Sequence, residues 1–371
     1  MEYSLADAYL RLRHSDQISP AQLARQLRDA GDMRSLLARE PGLLQTVQKP
    51  DSDTLARVDA ELVWAAETNN SLLFYEQSGY PSRLREIDCP PPVLAVRGNA
   101  GVLTEPQLAI VGSRKCSSYG RQTSFWLGRE LADCGLGITS GLAVGVDAAA
   151  HQGALSAAGD KGASIAVVAT GLDTVYPRQH RTLMESLSEK GAVVSEFPLG
   201  TPPRAAHFPQ RNRLISGLSQ GVLVIEAGLR SGSLITARLA MEQNREVFAL
   251  PGRIDNALAR GCHQLLRSGA KLIEGPADIL DELNPELLLK LKNGAGNRPL
   301  ANQSVQNYRG DQRCRKILQS LTQGEMLFEV LQGETGISPE ILQSCLLQLE
   351  LQGFLHFSGG SVQLCDNACQ G

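Results

Sequence analysis

Arginines and hydroxyl side chains recur just past short apolar runs, where a phosphate group would be met. The run "LAIVG" (108–112) is followed at once by Ser113, Arg114, Lys115 and further hydroxyls. Gly112 permits close backbone approach. Arg114 offers a permanently charged, bidentate partner for phosphate. A helix beginning near Ser118 would turn free N–H groups toward an anion. The spacing matches neither G-x-G-x-x-G nor G-x-x-x-x-G-K-[ST], so neither a dinucleotide nor an ATP loop is implied. A second loop, "TSGLAVGVDAAAH" (139–151), brackets a tight turn with glycines and contributes Ser140 and Gly141. Asp147 reads as the cap of the next helix, and His151, four residues on, as a packed histidine.

A third loop, "TGLDTVYPRQHR" (170–181), carries Arg178 and Arg181. The fourth, "FPLGTPPRAAHFPQRNRLISGLS" (197–219), is long and proline-broken, with Phe208 among Arg204, Arg211 and Arg213. Rings interleaved with arginines suit single-stranded nucleic acid, because bases stack on rings while guanidiniums hold phosphates. The plainer reading of Phe208 is a core anchor. In the fifth, "EAGLRSGSLITARLA" (226–240), Gly232 and Ser233 open a helix and offer a further N-terminal anion site. Two catalytic signatures are missing: there is no H-E-x-x-H and no Walker lysine. Glu196 and Glu226 are the candidate acids at strand ends, and such carboxylates more often hold a neighbouring loop. The eight cysteines include no C-x-x-C pair, so no metal site and no cofactor are expected, and the thiols read as reduced.

The elements that must position these loops are written in the periodicity. Strand-like runs at 108–112, 135–141, 164–171, 192–197, 221–228, 246–252 and 270–273 alternate with helical patterns near 119–134, 147–158, 180–190, 210–218, 233–244 and 262–268. Strands apolar on both faces, alternating with helices, predict a doubly wound, Rossmann-like parallel α/β sheet. Its ligands would gather outside the carboxyl ends of the strands. Before it, residues 1–70 read as a small helical domain, with Ser19 as an N-cap and Pro20 at the first helical position. After it, 285–310 reads as a flexible linker rich in Asn, Gln, Gly and Pro. Three helical patterns and a hairpin over 311–371 predict a winged-helix-like domain.

In order, "YPSRLREIDCPPPVLAVRGN", "LAIVGSR", "ITSGLAVGVDAAAH", "SIAVVATGLDTVYPRQH", "VVSEFPLGTPP", the run from "FPQRNRLISGLSQ" to "FALPG", and "SGAKLI" span roughly residues 80–275. This series resembles the DNA-processing protein A (DprA/Smf) family. The resemblance extends to the three-part layout, with a SAM-like helical domain at 1–70 and a Rossmann-like single-stranded DNA-binding domain at 71–284. It implies a protein that is not an enzyme. Such a protein binds single-stranded DNA during natural transformation, protects it and assists loading of the RecA recombinase. It works as a homodimer built through the Rossmann-like domain. By that resemblance Arg114 is the first phosphate-binding candidate, Arg178 matches a basic position of the family, Phe208 matches an aromatic that stacks on a base, and Arg211 and Arg213 are the "RNR" arginines. One of those two is available to pair with Glu196 or Glu226 instead. Val144 stands where the family often has Arg or Leu, and His263 where many members have Asn.

Charge separates the parts. Residues 108–275 hold 18 Lys and Arg against 13 Asp and Glu, so this region suits a polyanion. From Ile317 onward there is no Lys or Arg, so the C-terminal domain is expected to contact protein rather than DNA. The N-terminus carries Glu2 and Asp7 early without an apolar segment, and no run reaches 18 apolar residues, so a cytoplasmic protein is expected. Two alternatives remain open: a nucleotide-sensing Rossmann module, and a nucleotide phosphoribohydrolase-like enzyme. In the second, Thr236 would occupy the place of the catalytic glutamate.

Overall fold

The structure, a computed structural model, describes residues 3–158, 163–283, 308, 310–322, 325–358 and 360–364. The chain opens with helices whose starts are dictated by local chemistry. Helix α1 (Leu5–His14) is capped by Ser4 with Asp7 reaching back, and α2 (Pro20–Ala30) by Ser19 with Gln22. Each is a capping box that satisfies two otherwise orphaned N–H groups. Pro20 holds the first helical position, and Gly31, at φ 89°, ends α2. Asp32 and Asp51 cap α3 (Met33–Arg39) and α5 (Ser52–Ala65), with α4 (Pro41–Gln48) between them.

These helices pack on the sheet region. Tyr9, Leu23, Leu27 and Met33 belong to one apolar cluster with Tyr80, Leu84, Leu94 and Leu214 of the sheet region. The Tyr9 and Phe74 rings lie 5.2 Å apart. Helices of 7 to 14 residues bury too little surface against one another, so their apolar stripes close over the neighbouring hairpin. The boundary expected at residue 70 therefore falls inside a packed unit.

That hairpin is β1 (Asn70–Phe74) and β2 (Val93–Gly98), antiparallel in the register Asn70↔Arg97, with the short helix α6 (Ser82–Arg85) between them. The doubly wound region then runs β3 (Gln107–Gly112), α7 (Ser118–Cys134), β4 (Gly137–Ser140), α8 (Val146–Leu155), β5 (Ser164–Val167), α9 (Arg181–Lys190) and β6 (Ala192–Ser195). It continues with α10 (His207–Leu218), β7 (Gly221–Ile225), α11 (Gly232–Glu242), β8 (Glu246–Ala249), α12 (Arg260–Arg267), β9 (Lys271–Leu272) and α13 (Pro276–Leu283). The sheet order is β1-β2-β6-β5-β4-β3-β7-β8-β9, parallel from β6 to β9, with β2 added antiparallel to β6. All seven expected strands are present. The central ones are buried along their whole length, as apolar runs covered on both faces require.

Strand order reverses between β3 and β7, whose residues pair from Leu108↔Gly221 to Gly112↔Ile225. The loops after these two strands part at this point and leave a crevice. The approach there is close: a Cβ on Gly112 would meet the Ile225 carbonyl oxygen at 1.9 Å.

A second compact unit holds α14 (Gln312–Leu321), β10 (Met326–Leu327), α15 (Phe328–Thr335), α16 (Pro339–Leu351), β11 (Leu355–Ser358) and β12 (Ser361–Leu364). Its small antiparallel sheet has the order β10-β12-β11. The expected three helices and hairpin are there, with β10 as an addition. Most of the linker expected at 285–310 lies outside the described residues. Tyr308, however, is packed in this unit's core, 5.2 Å from Phe354.

The glycine at the switch point yields a direct expectation. Gly112→Ala forces β3 and β7 apart and lowers unfolding free energy by about 3 kcal/mol or more, measured by chemical denaturation.

Candidate nucleic-acid interface

The loop after β3 is held down by glycines. A Cβ on Gly145 would meet the Ser113 carbonyl oxygen at 2.3 Å, and the Val146 N–H donates to that same oxygen at 3.2 Å. Gly145 has φ 86°, which side chains rarely adopt. Ser113 turns its hydroxyl back to accept from the Lys115 N–H at 3.1 Å, a local turn that leaves Arg114 exposed at the bend. The Arg114 guanidinium carbon lies 5.4 Å from the centroid of the Phe208 ring. Phe208 is half-buried in the first turn of α10, and its other neighbour is Tyr176, with ring centroids 5.5 Å apart. Arg114, Gly141, Val144, Tyr176, Phe208 and Arg211 are among the residues lining one small pocket of about 60 Å³. The pocket opens outside the carboxyl ends of β4 and β5, where a doubly wound sheet receives ligands.

The two arginines of "RNR" have internal work. Arg211 is only 4% exposed, and its Nη1 donates to the Gly141 carbonyl at 2.9 Å and to the Val167 carbonyl. Burial pulls its pKa down to about 10, against the opposing pull of the Asp147 carboxylate. Asp147 is buried beside Arg211, against the same face of Gly141, and accepts from the Gly141 and Ala143 N–H groups at 3.0 and 3.4 Å. Burial pushes its carboxyl up from the ordinary range, and Arg211 opposes that shift. It lies in the first turn of α8, whose N-cap is Gly145, and ties down the preceding loop rather than capping the helix.

Arg213 makes a two-pronged ion pair with Glu196, at 3.1 and 2.5 Å. The expected internal pairing of one "RNR" arginine with a strand-end acid is thus Arg213 with Glu196. Arg13 of α1 joins the cluster, donating to the Glu196 carbonyl at 2.8 Å and to Glu61 at 3.1 Å. Neither Arg211 nor Arg213 is an exposed cation waiting for phosphate, because both bridge α10 to strand ends. Arg211 still forms part of the pocket wall.

The other expected residues divide. Arg178 and Arg204 are exposed and make no ion pair among the described residues. Ser140 is buried, its hydroxyl donating to the Ile110 carbonyl at 2.6 Å, so it braces β3 against β4. Gly141 lines the pocket, and a Cβ there would meet Arg211 Nη2 at 2.7 Å. Gly232 and Ser233 begin α11 but do not line the pocket; the Ser233 hydroxyl faces that of Ser231 at 2.7 Å. Glu226 is buried at the end of β7 with φ 51°. His151 is fully buried, 2.8 Å from the Ser164 hydroxyl. His263 keeps a loop contact, its Nε2 lying 3.0 Å from the Gly252 carbonyl.

The structure adds two residues to the site. Tyr176 stands beside Arg178, and an aromatic next to a cation after a strand is the signal that marks it. Asp173 is the other; both its carboxylate oxygens accept from the Gly200 N–H, at 2.9 and 2.8 Å. That clamp ties the Tyr176 loop to the loop leading into Phe208.

Comparison with known proteins decides the family. The profile of the DNA recombination-mediator protein A family matches residues 71–284. The chain belongs to this family. It is 46% identical over 251 residues to protein Smf of Escherichia coli, covering 67% of this chain and 66% of that protein. It is 45% identical over 203 residues to the DNA processing protein DprA of Streptococcus pneumoniae, covering 55% of this chain and 71% of that one. The match thus spans about two thirds of these relatives. The X-ray structure of the pneumococcal protein superposes with a TM-score of 0.64 at 34% identity, over 76% of this chain and 99% of that one. DNA processing protein A from Helicobacter pylori, whose structure describes a single-stranded DNA binding mode, gives 0.53 at 32% identity, over 58% and 96%.

Two outcomes follow from the buried charges. Glu196→Ala leaves Arg213 unpaired in a dry site and costs about 3–5 kcal/mol of stability by urea unfolding. His151 titrates near 6.5 when unfolded, but burial first, then His180 and Arg211, lower it to about 3 in the fold. Between those values the unfolded chain binds the extra proton, so His151 makes stability fall as pH drops from about 6.5 toward 3, by up to about 1.4 kcal/mol per pH unit. Unfolding curves of His151→Gln across that window lack this component.

Proposed function

We propose that this chain binds single-stranded DNA along the carboxyl edge of its sheet and serves as a recombination mediator. In that role it shields incoming single strands during transformation and hands them to a RecA recombinase. The observation that carries the reading is the pairing of Arg114 with Phe208 at the mouth of one pocket. A guanidinium supplies charge for phosphate and a ring supplies a surface for a base, and the face of a base is accessible only when the strand is unpaired. Arg178 and Arg204, exposed on the flanking loops, extend the positive track. The family's name and the binding mode described for the H. pylori protein support the same reading.

The chain acts in this reading by binding and not by catalysis. Glu196 is committed to Arg213, and Thr236, where a hydrolase of this fold would carry its carboxylate, is buried at 1% exposure in α11. A second copy of the chain would dock through the sheet-bearing unit, where Ile235 and Met241 of α11 stand exposed. The C-terminal unit, read as a winged helix, contacts protein instead of DNA. Its helix α16 carries Glu340 and Glu350 with no cation, and exposes Ile341, Leu347 and Leu351. The protein works in the cytoplasm, and none of its described helices is long and apolar enough to cross a membrane.

Fluorescence anisotropy with single- and double-stranded oligonucleotides across a salt series tests this. Wild type favours the single strand. Arg114→Ala weakens binding roughly ten-fold and makes the salt slope shallower by about one. Equal affinity for duplex, or an unchanged slope, rejects the reading. Deleting 311–371 leaves single-strand affinity within about two-fold, since α16 has no cation and Arg313, Arg315 and Lys316 of α14 are held by Asp311 and by the Tyr308 and Thr335 carbonyls.

A further inference from the structure

We propose that Tyr176 is a second base-stacking platform, so that this site holds two splayed bases of a single strand rather than one. The inference rests on the single-strand reading of the pocket and goes beyond it to a residue and a strand geometry. Tyr176 is 40% exposed although large and largely apolar, and it lines the same pocket as Arg114 and Phe208. Its hydroxyl has no hydrogen-bond partner among the described residues, so no internal polar contact explains a tyrosine there. Its ring is set at 52° to that of Phe208, with centroids 5.5 Å apart. Two bases lying flat on these rings would be tilted by a similar angle and could not stay stacked on each other. A duplex cannot adopt that arrangement without losing pairs, whereas an unpaired strand splays at little cost.

The rings are also held in place before any strand arrives. Asp173 clamps Gly200, and the Gly171 N–H donates to the Thr201 carbonyl at 3.1 Å, fixing the two loops to each other. On the Tyr176 side, Thr170 Oγ1 donates to the Thr174 carbonyl at 3.0 Å. On the Phe208 side, the neighbouring His207 ring stacks on Phe197 at 4.3 Å. A platform ordered in advance loses little entropy on binding. Arg178, two residues after Tyr176 and exposed, supplies a cation for the phosphate beside the second base.

The test compares wild type, Tyr176→Ala and Tyr176→Phe on a normal single-stranded oligonucleotide and on one of the same length carrying abasic sites throughout. The sugar–phosphate charge is the same in both. On the normal strand Tyr176→Ala binds about ten-fold more weakly while its salt slope is unchanged, and Tyr176→Phe binds like wild type. On the abasic strand all three bind alike. If Tyr176→Ala binds the normal strand as well as wild type while Arg114→Ala is impaired, the second platform is rejected and the single-strand reading stands. If Tyr176→Ala loses affinity equally on both strands, the residue shapes the loop and meets no base, and the proposal falls. If wild type itself does not prefer single strands, both readings fall together.

Discussion

The arrangement depends on one buried guanidinium. Arg211 reaches from α10 to the carbonyls of Gly141 and Val167, at the ends of β4 and β5, and so uses its donors on backbone acceptors that helix and sheet leave over. Removing water from a charge is costly, and the nearby Asp147 carboxylate offsets part of that cost. Asp147 in turn accepts from two N–H groups of the loop after β4. One interaction thus fixes a helix, two strand ends and a loop. Arg213 fixes the same helix again through Glu196, just past β6. With α10 anchored at two points, Phe208 in its first turn has one place to go, which is beside Arg114.

Arg114 reaches that place because its loop contains no side chain that would hold it away. The absence of a Cβ at Gly112 and at Gly145 lets three backbone segments approach within a distance that other residues forbid. The steric requirement and the electrostatic one meet at the same spot. The crevice exists because strand order reverses between β3 and β7, and the loop entering it is narrow because it is bounded by glycine. The exposed cation stands at the bend between these constraints. The guanidinium lies over the Phe208 ring at 5.4 Å, so a base that stacks on this face takes the place of Arg114, which swings aside toward the phosphate.

Much of this was legible in the residues, and the parts that were not share a cause. Two-sided apolar strands and their intervening helices announce a doubly wound sheet, since few other structures bury such runs. Arg114 and Phe208 stood out by type and position. That one of Arg211 and Arg213 could pair with a strand-end acid was legible, but not which one, nor that both would face inward, because a sequence gives the charge of a residue and not the direction it faces. The helix expected from about residue 210 starts at His207, which places Phe208 and Arg211 three apart on one face. Arg211 and Arg213, two apart, then point about 200° from each other. The pair that reads as one basic patch therefore cannot lie together along one strand of DNA. The hairpin strand β1 was hidden for a different reason. It is a half-buried edge strand with no alternation, and its partner β2 lies beyond an intervening helix. That the N-terminal helices pack on the sheet region was not legible, because periodicity identifies an amphipathic helix without naming what its apolar stripe will cover.

The distribution of charge explains how such a protein would discriminate among nucleic acids. The chain as a whole carries a net charge of −3, so its long-range field does not draw in a polyanion. At physiological salt that field is screened beyond about 8 Å, and only contacts made at the surface count. The cations that remain exposed near the pocket, Arg114, Lys115, Arg178 and Arg204 among them, are few. A duplex, which offers its partner mainly a phosphate backbone, would gain from those few charges alone. An unpaired strand gains from them and also from its bases, on rings that the sheet edge has already placed. Weak overall electrostatics combined with ordered aromatic surfaces therefore favours the single strand, and the buried ion pairs that consume Arg211 and Arg213 sharpen that preference by withdrawing charge from the surface while holding the rings still.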